Sequence, residues 1–235
     1  AYSGGLDSTV LLHCLAHSPL KARVRALHIN HGLSALAEHW QQHCLQQAQG
    51  WQVPLTVRSV AVNIAGDGLE QAAREARYQE FERCLQSGDV LVLGHHGDDQ
   101  LETFVQRWLR GSGVQGLAAM RRQRPLAAGQ LLRPLLSVYR RELEQYACQN
   151  QLRWIEDDSN SDVRLTRNWW RHNGLPPIWQ QYPDAKTAAL RTVERLQQDA
   201  DLLTQLLQQQ LQPLLSDSCW PGTTASRLNI ELLQQ

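Results

Sequence analysis

The chain predicts an α/β fold, a Rossmann-like parallel sheet with helices on both faces, followed by a small helical domain. Three observations carry this expectation. Short β-type runs alternate with amphipathic segments from the start of the chain to about Leu109. One run, Val90-Leu91-Val92-Leu93, is continuously apolar, as suits a strand buried on both faces. From about Pro176 the texture changes to a long stretch rich in Leu and Gln.

The elements follow in order. Ser3-Gly4-Gly5-Leu6-Asp7-Ser8 forms a loop and runs into Val10-Leu11-Leu12, so a helix opens near Asp7 or Ser8. Residues 24–29 read as a strand and 35–49 as a helix; residues 55–60 read as a second strand and 69–85 as a helix with apolar spacing near 3.6. After Val90–Leu93 the chain returns to helix from Asp98 to Leu109. Such alternation implies parallel strands, whose ligands bind at the carboxyl ends. Asn30-His31-Gly32 and Gly94-His95-His96-Gly97-Asp98-Asp99 stand at those ends. The loop begins at the third residue, so the strand that should deliver it is almost absent, and either a trimmed chain or an incomplete sequence is expected. A domain boundary is expected near Pro176-Pro177, dividing 1–176 from 177–235. Asp184 to Leu211 reads as one helix whose glutamines form a polar face, and Arg227 to Gln235 as the start of a truncated region.

Composition narrows the class. No apolar run is long enough to span a bilayer, and no signal sequence opens the chain, so a cytoplasmic protein with no membrane partner is expected. Cys14, Cys44, Cys84, Cys148 and Cys219 are odd in number, widely spaced and free of Cys-x-x-Cys pairs. That argues against a disulfide framework and a structural zinc site, and predicts reduced thiols in the core. The net charge is zero, but Lys21 and Lys186 are the only lysines. Arg107, Arg110, Arg121, Arg122, Arg124, Arg133, Arg140 and Arg141 span an interval containing no acid. That interval reads either as a solvated surface with acids supplied from elsewhere or as a nucleic-acid footprint.

The opening loop suits a phosphate. Adjacent glycines let backbone N–H groups approach a ligand, Ser3 and Ser8 add hydroxyls, and the helix start points its positive end at an anion. It is not a Walker A loop, because no Gly-Lys-Ser/Thr follows. Its one charge is Asp7, which would repel bare phosphate and is better read as a ligand for Mg²⁺ bound to pyrophosphate. Asp98, Asp99 and Glu102 cluster at a strand end and the first turn of a helix, with Asp98 and Glu102 four apart on one face; helix capping accounts for part of this. His95 and His96 read as positioning or packing residues rather than metal ligands.

The six-residue loop resembles the PP-loop of the ATP pyrophosphatases, and several strings in order resemble the tRNA(Ile)-lysidine synthetases. They are the loop itself; Asn30-His31-Gly32-Leu33-Ser34; Glu70 to Tyr78; Gly94 to Thr103; Arg110-Gly111-Ser112-Gly113 with Gly116-Leu117; Arg133-Pro134-Leu135-Leu136; Asp157-Asp158-Ser159-Asn160; and Arg167-Asn168-x-x-Arg171 with Pro176. The resemblance covers about the first 180 residues. It implies ATP-dependent ligation of free L-lysine to carbon 2 of the wobble cytidine of a CAU-anticodon isoleucine tRNA. That cytidine is first adenylated, and the products are lysidine, AMP and pyrophosphate.

The implied assignments are these. Ser3, Gly4, Gly5, Leu6, Asp7, Ser8 and His31 bind ATP, with Asp7 on Mg²⁺. Asp98 and Glu102 hold the lysine. Asp7, Asp98, Asp99, Arg77 and Arg171 are catalytic. Arg110, Arg167 and Arg171 meet the tRNA, the last two as a phosphate-facing pair. Arg74 and Arg77 read as lying over the nucleotide or the tRNA, or else as a solvated helix face with Glu70, Glu75 and Glu80. Trp169 and Trp170 read as core, or else as a stacking platform. The family suggests a monomer or homodimer. The competing readings are a PP-loop tRNA thiolase, an amidotransferase-linked synthetase and a non-catalytic RNA-binding PP-loop module. Scattered cysteines oppose the first, the arginine-only interval and the Asp157 to Arg171 block oppose the second, and intact Asp7, Asp98 and Asp99 oppose the third.

Overall fold

A computed structural model describes residues 1–32, 34, 36–61, 69–156, 162–163, 166–211, 215–219 and 226–228. Leu33, Leu165 and Asp157-Asp158-Ser159-Asn160 lie outside the described residues, as do most of 227–235 and the side chains of Glu70 and Cys219. The elements are α1 (Leu6–Ala16), β1 (Ala26–Asn30), α2 (Ala37–Gly50), β2 (Leu55–Ser59), α3 (Leu69–Cys84), β3 (Val90–Val92) and α4 (Gly97–Leu109). There follow α5 (Val114–Leu117), β4 (Gln123–Leu126), β5 (Gly129–Leu132), α6 (Arg140–Gln149), α7 (Thr166–Trp169), α8 (Leu175–Gln181) and α9 (Ala185–Leu211). A last pair of strands, β6 (Leu215–Cys219) and β7 (Ser226–Leu228), is antiparallel.

β1 runs parallel to β2, β3 parallel to β5, and β4 antiparallel to β5. The first two residues join the two ladders. The Ala1 nitrogen donates to Val92 O at 2.7 Å and Tyr2 N to Leu27 O at 2.8 Å. Residues 1–2 therefore lie between β1 and β3, and the spatial order is β2-β1-(1–2)-β3-β5-β4. The direction of winding reverses between residues 1–2 and β3, the place where such sheets open a crevice for ligands.

Alternation along β1 explains the two covered faces. Ala26 packs with Tyr2, Leu12, Ala16, Cys44 and Val53 under α1 and α2. Leu27 and Ile29 point the other way, to Phe81 of α3 with Leu91, Leu93 and Leu131. A third cluster ties Leu6 and Val10 of α1 to Leu143 and Ala147 of α6. These three clusters hold rigid the elements whose ends carry the site.

Three expectations need correction. The Val90–Leu93 run is buried at Leu91 and Leu93, but Val90, on the alternate face at the strand start, is 52% exposed. Cys44 is buried, whereas Cys14 and Cys148 are exposed and Cys84 is intermediate. Cys14 and Cys148 ride on α1 and α6, where the helical period turns them away from the buried stripes. Trp169, expected in the core, is 43% exposed and meets Trp170 edge-on at 5.0 Å.

The β4–β5 hairpin and α6 have no clear signature in the sequence pattern. β4 contains Pro125, tolerated because the strand is an edge, and its turn uses Ala127 at φ 47° where a glycine would signal it. Pro176 and Pro177 sit in the first turn of α8, where a missing N–H costs no helical bond. α9 packs back on α4 and α5. No helix among the described residues is long and apolar enough to cross a membrane.

Candidate active site

The loop between residues 1–2 and α1 is braced from inside. Ser8 Oγ accepts from Ser3 N at 3.2 Å, lies 3.0 Å from Ser3 Oγ and donates to Gly5 O at 3.0 Å. Thr9 Oγ1 donates to Gly4 O at 3.2 Å, and Ile155 N donates to the same oxygen at 2.9 Å. Gly4 takes φ +88°, and a Cβ there would come within 2.7 Å of Ile155 Cδ1 and 2.8 Å of Cys44 Sγ. The serine hydroxyls, expected to face a ligand, instead stabilise the turn. No side chain caps α1, so the N–H groups of its first turn remain to receive an anion.

Asp7, in that first turn, has Oδ1 buried without a hydrogen-bond partner. Arg140 Nη1 lies 3.7 Å from it and His96 Nε2 lies 3.7 Å from Oδ2. Burial raises the Asp7 pKa, against the pull of His96, Arg140 and Arg171. An orphaned carboxylate oxygen beside a phosphate cradle fits Mg²⁺, which favours oxygen and completes its shell with phosphates and water. Among the described residues no three His, Cys, Asp or Glu side chains are grouped to hold a metal on their own.

The acidic turn meets this loop directly. A Cβ on Gly94 would lie 3.0 Å from Asp7 O and 3.2 Å from Ser8 N, so the absence of a side chain lets the end of β3 touch the start of α1. His96 is wholly buried, with Nδ1 3.5 Å from Asp98 and Nε2 3.5 Å from Asp99. Burial works against its charge, but the carboxylates of Asp98, Asp99 and Asp7 outweigh burial and raise its pKa.

Each acid has its own partners. Asp99 Oδ2 caps α4 by accepting from His96 N at 2.9 Å, while Oδ1 accepts from Arg167 at 2.7 Å and Arg171 at 3.2 Å. Glu102, 1% exposed, accepts from Arg167 Nε at 2.6 Å and Arg171 Nε at 2.7 Å. Capping and charge pairing thus coexist in Asp99. Asp98 turns away: Oδ2 accepts from Arg140 N at 2.8 Å and Oδ1 meets Lys186 Nζ of α9 at 2.5 Å. Burial would raise the Asp98 pKa, but His96, the Arg140 N–H and Lys186 hold it well below the usual carboxylate range.

A family profile described as a PP-loop domain matches residues 1–178. The chain belongs to the PP-loop domain family. It is 46% identical over 220 residues to a protein of Serratia proteamaculans named tRNA(Ile)-lysidine synthase, covering 92% of this chain and 50% of that protein. The like-named protein of Xanthomonas axonopodis pv. citri is 47% identical over 241 residues, covering all of this chain and 52% of its own. That of Pseudomonas aeruginosa is 46% identical over 209 residues, covering 88% and 47%. The chain spans about half the length of these curated relatives. Among solved structures, the U34-tRNA thiolase of Methanococcus maripaludis with its [4Fe-4S] cluster superposes with a TM-score of 0.62. It is 17% identical and covers 83% of this chain and 70% of its own, a likeness of fold.

Within the PP-loop chain, Asp7, Asp98, Asp99, Glu102, Arg167 and Arg171 converge on one centre through His96. Two spacing arguments fail in detail. Asp98 and Glu102 do not share partners; Asp99 and Glu102, three apart, do. Arg167 and Arg171 are turned onto those two acids rather than toward solvent phosphates, and the chain widens into a π-helical turn at Trp170–Gly174 beside them. Arg77, midway along α3, meets His31 just beyond the end of β1, with Arg77 Nε donating to His31 Nε2 at 3.3 Å. His31 Nδ1 is buried without a partner. Burial, with Arg77 next, lowers the His31 pKa to about 4, so its ring is neutral. Glu80 pairs with Arg58 and Arg83, not with Arg74 or Arg77. Arg110 is exposed at the far end of α4, about 18 Å from Asp98 by helical rise. Sequence reasoning missed Arg140 and Lys186 as members of the site; the rarity of lysine was the one available signal for the latter.

Proposed function

We propose that the chain joins free L-lysine to carbon 2 of the wobble cytidine in a CAU-anticodon isoleucine tRNA, using ATP and an adenylated cytidine. The observation that carries this reading is the contact of Gly94 with the first turn of α1. It makes the phosphate-binding loop and the acidic turn one surface, so an activated nucleotide and an amine can share a centre. Identity near 46% to proteins named tRNA(Ile)-lysidine synthase supports it.

In the first step the oxygen on carbon 2 attacks the α-phosphorus of ATP, the bond to the bridging oxygen breaks and pyrophosphate leaves. The N–H groups of the loop and of α1, with Ser3, Gly4, Gly5, Leu6 and Ser8 setting their geometry, hold the phosphates. Mg²⁺ on Asp7, when bound, would neutralise charge on the departing group. Arg140, 3.7 Å from Asp7, adds a fixed cation that the loop itself lacks. The unpartnered His31 Nδ1 suits an acceptor on the nucleotide, and the exposed Arg77 beside it suits a base edge or phosphate.

In the second step the lysine amine attacks carbon 2, the carbon–oxygen bond breaks, AMP leaves and the nitrogen loses a proton. Asp98 holds the cationic amine before attack, in exchange for Lys186, and Glu102 joins it only by releasing Arg167 or Arg171. Arg167 and Arg171 fix Asp99 and Glu102 in place through paired hydrogen bonds, and would meet the RNA only by exchanging those partners. Arg110 is left as a peripheral RNA contact. On this reading 1–176 form the catalytic unit and 177–235 a largely helical appendage that lends it Lys186. A tRNA substrate implies the cytoplasm, and a monomer or homodimer is expected.

The test is incorporation of labelled lysine into a CAU-anticodon isoleucine tRNA transcript with ATP and Mg²⁺, against the matching methionine tRNA. Label in the isoleucine tRNA supports the reading, and label in both keeps the chemistry while assigning selectivity outside this chain. No label from folded, ATP-binding protein overturns it.

A further inference from the structure

A second cationic hollow lies beside the acidic centre and is not used by the steps above. It is a concavity of about 380 Å³ between α3, the end of α4 and the β4–β5 hairpin, and its walls include Arg74, Tyr78, Arg107, Arg121, Arg124 and Arg133. We propose that it binds a phosphate of single-stranded RNA next to the reacting nucleotide. This rests on the RNA substrate of the proposed function and adds the place where the strand is gripped.

Charge is the first support. Five guanidinium groups surround the hollow, and the acids near them are Glu75 on the lining and Asp201, which Arg121 binds at 2.9 Å. Arg107 is anchored by carbonyls, donating to Gly116 O and Ala119 O at 2.9 Å each, and Arg133 donates to Arg121 O at 2.8 Å. Carbonyls orient these groups without neutralising them. A polyanion supplies the missing charge, and arginine forks match phosphate oxygens.

The second support is Tyr78. Its hydroxyl is buried against Arg133, which interacts with it electrostatically but makes no hydrogen bond of good geometry to it, so a phosphate oxygen could bridge the pair. Arg74 and Arg124 stand over its ring, with guanidinium carbons 5.0 and 5.8 Å from the centroid. Their planar groups offer a stacking surface for an unpaired base, the form in which RNA is read most often. The third support is position. Arg133 Nε lies 3.2 Å from His95 Nδ1, and His95 precedes the His96 that links Asp7, Asp98 and Asp99. Arg77, one turn beyond Arg74 on α3, reaches His31. A strand gripped in the hollow would lie beside the nucleotide at the acidic centre.

The probe is a fluorescent CAU-anticodon stem-loop RNA, titrated without ATP or lysine over a range of KCl. The double change Arg74→Ala with Arg124→Ala should weaken binding about tenfold and lower the slope of log affinity against log salt by about one for each phosphate no longer neutralised. Tyr78→Phe should weaken binding by a smaller factor, leave the slope alone and not lower the melting temperature. Arg122→Ala, an exposed change outside the hollow, sets the effect of charge alone. If Arg122→Ala matches the double change, or if neither the double change nor Tyr78→Phe alters RNA affinity, the proposal is overturned. If ATP affinity falls while RNA affinity stands, the hollow is a free-nucleotide site and the RNA reading is likewise overturned. The readout needs no turnover, so failure here leaves lysine incorporation standing, and failed incorporation leaves this result interpretable.

Discussion

Asp7 and Arg171 show how much a single side chain's surroundings change what its type implies. An aspartate in a phosphate-binding loop reads as repulsive, yet its Oδ1 is left without a hydrogen bond at the mouth of the loop. Asp7→Asn should therefore cut pyrophosphate release by at least about a hundredfold while leaving RNA affinity nearly unchanged. Release assayed beside RNA titration checks this, and normal turnover would remove Asp7 from the Mg²⁺–pyrophosphate role. Arg171 reads from spacing as a phosphate contact, but the structure spends its guanidinium on Glu102 and Asp99. Arg171→Ala leaves a carboxylate that is 1% exposed with Arg167 alone. A loss of about 3 kcal/mol is expected by urea unfolding, the lower end for breaking a buried pair. The salt slope of RNA binding should not change; a slope lower by about one would return Arg171 to the phosphates.

Among the elements, α9 carries the least expected consequence. Its first turn brings Lys186 onto Asp98, the acid assigned to the substrate amine, and over the Tyr139 ring at 4.5 Å. An ammonium of the chain thus occupies a place the substrate ammonium would use. Lys186→Met should lower KM for lysine severalfold with little change in kcat, since the free amine would no longer displace a tethered one. A raised KM in steady-state lysine incorporation would instead make Lys186 a supporting residue for Asp98. α3, β1 and α4 were legible because their apolar spacing survives in the packing of Phe81, Leu27, Ile29 and Leu101. The β4–β5 hairpin was hidden, because its arginines read as surface charge and its turn lacks glycine.

For the whole molecule, titration sets the range of stability. His31 is held near pKa 4 and His95 near 3, each chiefly by burial, against an ordinary 6.5. The unfolded chain therefore binds more protons than the folded one as pH falls below about 6.5, so stability present at neutrality declines toward pH 4. Asp98, with its depressed pKa, adds a loss in the same direction at lower pH. His96, with its raised pKa, contributes stability that is complete below its unfolded value and lost as pH rises through its folded one. Urea midpoints should pass through a maximum near neutrality, and a midpoint that climbs steadily from pH 7 to pH 4.5 would refute this assignment of the imidazoles.

The sequence by itself determined the alternation of strands and helices, the phosphate-binding loop, the acidic motif and the family likeness. These depend on local spacing and residue type, which chain order preserves. Only the tertiary structure decided that residues 1–2 join the two ladders, that Gly94 brings the acids onto the loop, and that Arg140 and Lys186 enter the site. It also turned Arg167 and Arg171 from RNA toward Asp99 and Glu102. The physical reason is that a buried charge must find an opposite charge wherever the fold offers one. The partners of Glu102 lie 65 and 69 residues away along the chain, a distance at which spacing carries no information about which side chains meet.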